Sequence, residues 1–133
     1  TGIYGASKFA LECIGQTLAE EVKPLGIKVT NVAPGGLRTD FATRSLTTTK
    51  TEIADYEPTA HLARSILSGG GGQENGDPMK AAAAVLQIAD AEEPPMHLLL
   101  GADAMHYAGR TIASFQMEMA DWAPLTVSIA YDK

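Results

Sequence analysis

The sequence predicts an α/β fold of about four helices and two short strands. Three observations carry that reading. Apolar residues recur at helical spacing near both ends, two short β-rich runs lie between helical segments, and Pro–Gly punctuation separates the pieces. At 133 residues there is room for one domain and one modest core, and 45% hydrophobic with 20% charged residues is an ordinary globular balance.

The first helix is expected from about Tyr4 to Lys23. Leu11, Ile14, Leu18 and Val22 recur at spacings of three and four, while Glu12, Gln16 and Lys23 point elsewhere. Pro24 cannot continue the backbone bonding and Gly26 accepts a left-handed cap, so the helix stops there. A strand follows in Ile27–Ala33, ended by Pro34-Gly35-Gly36. Residues 37–58 read as irregular and Thr-rich, with Asp40 and Asp55 as turn or cap residues. A short helix is expected over Thr59–Leu67, capped by Thr59 and broken by Gly69–Gly72. Asp77-Pro78 opens the next helix, because Asp suits the cap and proline the first turn. That helix carries four consecutive alanines, Ala81 to Ala84, and ends before Pro94-Pro95. His97–Leu100 reads as a buried strand ending at Gly101. The last helix is expected from about Asp103 to Trp122, with Ala108, Ile112, Phe115, Met119 and Trp122 as its stripe and the methionines as core filler.

The net charge of −6 without a basic cluster argues against a nucleic-acid partner. No apolar run reaches the length of a membrane span, and Thr1-Gly2-Ile3-Tyr4 has no signal-peptide character, so no membrane partner and a cytoplasmic location are expected. The single cysteine, Cys13, lies among Leu11, Ile14 and Leu18 and is expected buried or half-buried. His61, His97 and His106 lack metal-ligand spacing, so no metal site is expected. The first methionine is Met79, and the chain reads equally as a piece of a longer protein.

Tyr4-Gly5-Ala6-Ser7-Lys8 carries the chemistry. Residues four apart on a helix share one face, with about 5–6 Å between Cβ atoms, which sets a phenol and an ammonium beside the same small ligand. Tyrosine is a poor acid–base group at neutral pH, with a reference pKa of about 10, and a nearby ammonium favours phenolate. Such a pair can exchange a proton with an alcohol–ketone couple. By itself Y-x-x-x-K is a weak signal, since chance occurrences are common, and a surface tyrosine beside a solvated lysine is the favoured reading of it alone.

With its neighbours the motif resembles a known family. Tyr4-Gly5-Ala6-Ser7-Lys8-Phe9-Ala10-Leu11-Glu12 is similar to the active-site helix of the short-chain dehydrogenases/reductases, and Ile27–Gly36 resembles their sixth strand and the Pro–Gly turn beneath the nicotinamide. Gly76–Ala84 and Leu98–Ala104 resemble the penultimate helix and last strand. The resemblance implies the C-terminal portion of a Rossmann-like doubly wound parallel sheet, with the N-terminal dinucleotide-binding half absent. Residues 1–36 would be the catalytic helix and following strand, 37–76 the substrate lid, and 77–133 the C-terminal helix–strand–helix. Tyr4 would be the proton donor or acceptor, and Lys8 would activate it and hold the nicotinamide ribose. Pro34, Gly35, Leu37 and Thr39 would line the nicotinamide side of NAD or NADP. Within that lid, Phe41, Leu46 and Tyr56 are expected either to line an apolar substrate pocket or simply to pack against the fold. Ser7 would be a small packing residue, since the family's catalytic serine comes from an earlier strand.

The departures are as specific. The glycine-rich turn after a first strand, the substrate-orienting serine and the asparagine of the preceding helix are not in this sequence. The resemblance therefore implies an oxidoreductase lineage acting on an alcohol or carbonyl, with the chain alone expected inactive. A homo-oligomer or association with a missing N-terminal half is expected to cover the open strand edge and helix faces. Alternatives are a non-redox binding or assembly module, and recruitment to ester hydrolysis. Gly69–Gly72 is a flexible loop rather than a phosphate loop, lacking a preceding strand and a following Gly-Lys-Ser/Thr. Gly5-Ala6-Ser7-Lys8-Phe9 lacks the final glycine of a nucleophile elbow.

Overall fold

A computed structural model describes residues 2–47, 53–69 and 71–131. Residues 48–52 of the expected lid and Gly70 of the glycine run lie outside the described residues. Helix α1 spans Gly2–Val22 and runs into a tight turn over Lys23–Leu25. Gly26 closes that turn at φ +72°, in the left-handed region, with its N–H donated to the Lys23 carbonyl at 3.0 Å.

Strand β1 is Asn31–Pro34 and strand β2 is His97–Leu100. They pair in parallel, Asn31 with His97 through Pro34 with Leu100. Parallel neighbours need a crossover, and α2 (Leu62–Gly69) and α3 (Pro78–Ala89) lie within it. After β2 come α4 (Ala102–Asp121) and a short α5 (Ala123–Val127). This is part of the doubly wound α/β architecture that the sequence predicts, with α1 against β1 and α4 against β2. The extra short helix α5 follows from Pro124, which suits a first helical turn just after Trp122 caps α4.

Two element boundaries differ from expectation. The strand expected over Ile27–Ala33 begins only at Asn31, because the partner ahead of β2 is Pro94-Pro95 and a proline has no N–H to lend to a ladder. Asn31 N–H instead opens the pairing on the Met96 carbonyl at 2.8 Å, and the Thr30 hydroxyl donates to the Pro95 carbonyl at 2.7 Å. The helix expected to start at Thr59 is preceded by a wide turn over Glu57–His61, with α2 beginning at Leu62. Pro58 starts this turn early, and the Thr59 hydroxyl reaches back to the Tyr56 carbonyl rather than capping. The start of α3 is as expected: an Asp77 carboxylate oxygen accepts from Met79 N–H at 2.8 Å and Lys80 N–H at 3.4 Å.

The expected core is the main correction. Among the described residues no hydrophobic side chain is buried, and the one buried residue is Gly15. There the Asn31 side chain lies over the helix where a Cβ would sit and donates to the Glu12 carbonyl at 2.9 Å. Cys13, expected buried or half-buried, is exposed, and Met117 and Met119 are 66% and 58% exposed rather than core filler. The accessible surface is 11124 Å², against about 6,700 Å² for a compact monomer of this mass. The helices carry apolar stripes, but two strands offer too little sheet to cover them.

Candidate active site

Tyr4 and Lys8 occupy the first turns of α1, one helical turn apart. The Lys8 Nζ lies 5.5 Å from the centre of the Tyr4 ring, within cation–π range. Tyr4 is 57% exposed, so its phenol is open to a ligand. Ser7, between them, donates its hydroxyl to the Tyr4 carbonyl at 2.7 Å and so spends its proton on its own helix.

The chain returns to this helix end through the segment that leaves β1. Pro34 is the last strand residue, and Gly35 N–H extends the ladder to the Leu100 carbonyl at 2.8 Å. Gly36 N–H donates to the Asp103 carboxylate at 2.7 Å. Leu37 bridges in parallel to Gly76, with Gly76 N–H on the Gly36 carbonyl at 3.0 Å and Arg38 N–H on the Gly76 carbonyl at 2.8 Å. The Arg38 side chain donates to the Glu74 carbonyl at 3.0 Å. Thr39 Oγ1 accepts from Phe41 N–H at 3.4 Å. Phe41 opens a wide turn over Phe41–Ser45, and its ring stands 6.3 Å from that of Tyr4, tilted by 39°. Tyr4, Lys8 and Phe41 thus meet, and Pro34, Gly35, Leu37 and Thr39 lie on the strand-to-turn path that delivers Phe41.

The other expected pocket residues are arranged differently. Leu46 is half-buried just past that turn, while Tyr56 sits in the short turn Ala54–Tyr56 and is 53% exposed. A cavity of about 560 Å³ lies instead along α4, lined by Tyr107, Arg110, Thr111, Ser114, Phe115 and Glu118, none of them a sequence candidate. It is a groove on one helix, remote in sequence from the Tyr4–Lys8 pair.

Sequence reasoning missed two polar anchors. Asp103 reads as the start of a helix, yet its carboxyl is held below its ordinary value, first by the Gly36 N–H and then by the Ala104 N–H. Its signal was the glycine pair 35–36 and the Gly-x-Asp at the β2–α4 junction. The second anchor ties α1 to the start of the sheet. Glu12 receives His97 Nε2 at 2.9 Å and Gln16 Nε2 at 3.1 Å. Hydrogen bonding from Asn31, then from Gln16 and His97 with its charge, pulls the Glu12 carboxyl below its usual value against partial burial. No sequence spacing joins Glu12 to His97; only strand register brings them together.

A parallel strand feeding a Pro–Gly turn, beside a helix that displays a Tyr–Lys pair, defines a partial dinucleotide-fold α/β protein. The family model for short chain dehydrogenases matches residues 1–50. Oxidoreductase BOA17 of Botryotinia fuckeliana is 35% identical over 127 residues, covering 96% of this chain and 46% of that protein. An uncharacterised oxidoreductase of Schizosaccharomyces pombe is 34% identical over 131 residues, 98% of this chain and 44% of that one. The crystal structure of a short-chain dehydrogenase from Streptomyces avermitilis superposes with a TM-score of 0.82 at 34% identity, over 96% of this chain and 45% of that chain. The chain belongs to the short-chain dehydrogenase family, and it spans about half the length of the relatives it matches. Among the described residues no helix is long and apolar enough to cross a membrane.

Proposed function

We propose that this chain supplies the acid–base half of an NAD(P)-dependent oxidoreductase acting on an alcohol or carbonyl. The observation that carries the reading is the Tyr4–Lys8 pair on one exposed face of α1, with Phe41 across from the phenol. In the reducing direction the Tyr4 hydroxyl gives its proton to the substrate oxygen; in the oxidising direction it takes that proton back. The Lys8 ammonium stabilises negative charge on the phenol oxygen and offers donors to a ribose. Phe41 supplies an apolar wall that holds the substrate carbon against the phenol and excludes water from it.

The donor set here suits the nicotinamide–ribose end of a dinucleotide. Thr39 Oγ1 accepts from Phe41 N–H and so keeps its own proton for a carboxamide or phosphate oxygen. Pro34, Gly35 and Leu37 would lie along the nicotinamide, which when bound supplies or accepts the hydride. The pyrophosphate end has no counterpart among the motifs of this sequence. The active form on this reading is an assembly, by self-association or with the rest of a longer chain, that covers the exposed faces of α1 and α4.

Titrating NADH and NADPH into the purified 133-residue chain, followed by nicotinamide fluorescence, tests the cofactor reading; saturable binding is expected once the chain is assembled. In the assembled enzyme Tyr4→Phe is expected to lower turnover by about 10²–10⁴-fold with NADH affinity retained. Turnover unchanged in that variant would overturn the proposal.

A further inference from the structure

Asp103 sits at the second residue of α4, and its carboxylate reaches across to the turn that leaves β1. Two glycines make room for it. A Cβ on Gly35 would overlap the carboxylate and one on Gly101 would meet Oδ1 at 2.5 Å, whereas one on Gly36 would only make ordinary contact, 3.6 Å from Oδ2. Gly101 also holds φ at +112°, which side chains rarely tolerate, and this directs α4 so that its first turn faces Gly35 and Gly36. Gly36 N–H is satisfied by Asp103 at 2.7 Å, and the Gly36 carbonyl takes Gly76 N–H at 3.0 Å. The two peptides flanking Gly36 are therefore gripped, one from α4 and the other from the loop before α3.

We propose that Asp103 is a positioning residue for the nicotinamide-side segment, clamping Gly36 so that Pro34 to Thr39 hold one conformation and deliver Phe41 to Tyr4. This rests on the functional reading above only for what the segment touches; the clamp itself stands on the hydrogen bond and on Gly35 and Gly101. A charged acceptor at short range makes a stronger bond to an amide than a neutral one does. An asparagine at 103 keeps an acceptor oxygen of the same shape, whereas alanine leaves Gly36 N–H to water.

The test compares the wild-type chain with Asp103→Asn and Asp103→Ala by amide hydrogen exchange and by NADH affinity. Exchange at Gly36 is expected to be about tenfold faster in the alanine variant and intermediate in the asparagine variant, with α3 amides unchanged. NADH affinity is expected to follow the same order, with partial recovery in Asp103→Asn. Unchanged exchange at Gly36 overturns the clamp, and so does equal acceleration at every amide, which marks general loosening. Gly36 exchange that depends on residue 103, in a chain whose wild type binds no NADH, upholds the clamp and counts against the cofactor reading alone. Exchange that depends on residue 103 with NADH affinity equal in all three proteins overturns the positioning role in cofactor binding.

Discussion

Gly15→Ala separates two opposing effects where Asn31 packs onto α1. In an open helix the exchange stabilises, because alanine is favoured over glycine by about 1 kcal/mol. Gly109, inside α4 with nothing within 4 Å of a built Cβ, shows that effect alone. With a urea dependence of about 1–3 kcal/mol/M, Gly109→Ala should raise the unfolding midpoint by about 0.3–1 M. At Gly15 a Cβ runs into the Asn31 side chain. Moving that side chain breaks its bond to the Glu12 carbonyl, about 1 kcal/mol, and adds packing strain of about 1–3 kcal/mol. Net of the helix preference, Gly15→Ala should destabilise by about 1–3 kcal/mol, opposite in sign to Gly109→Ala. Urea unfolding followed by circular dichroism reads both midpoints. In an Asn31→Ala background the obstacle is gone, so Gly15→Ala should turn stabilising there. If Gly15→Ala stabilises as much as Gly109→Ala in the wild-type background, Asn31 does not lodge on this helix and the argument fails.

Other outcomes follow from the same geometry. Glu12 and Asp103 are both held below their ordinary values, so each contributes stability that is complete above that value and lost as pH falls through the folded-state value. The unfolding midpoint should therefore drop as the pH is lowered below about 4, and Glu12→Gln should flatten part of that slope; an unchanged slope refutes the Glu12 contribution. Asp77→Ala should cost about 1 kcal/mol of stability by freeing two amides at the start of α3, while Asp77→Ser should be nearly neutral. Cys13 should react with a thiol reagent in the native monomer at a rate close to that in denaturant, and protection that appears as concentration rises would mark α1 as an assembly surface.

Local chemistry made much of this chain legible. The α1 periodicity ended where Pro24 and Gly26 required, and Asp77-Pro78 marked the start of α3 to the residue. Y-x-x-x-K needs only one helical turn to bring its side chains together, so a sequence can display it directly. The early start expected for β1 failed because a strand's length depends on its partner, here cut short by Pro94-Pro95. The buried placements expected for Cys13 and the α4 methionines failed for a related reason. An apolar stripe reports which face seeks cover, and what covers it comes from elsewhere.

By itself the sequence determined helices α1, α3 and α4, the Asp77 cap, the Tyr4–Lys8 motif and the family, because each depends on residues within a turn or on motifs in fixed order. Only the tertiary structure decided that Asn31 lodges on Gly15, that Glu12 meets His97, and that Asp103 grips Gly36. Those contacts join residues 16 to 85 positions apart. They exist because parallel pairing of β1 with β2 sets α1 and the start of α4 against the same two strands, a register that no local pattern encodes.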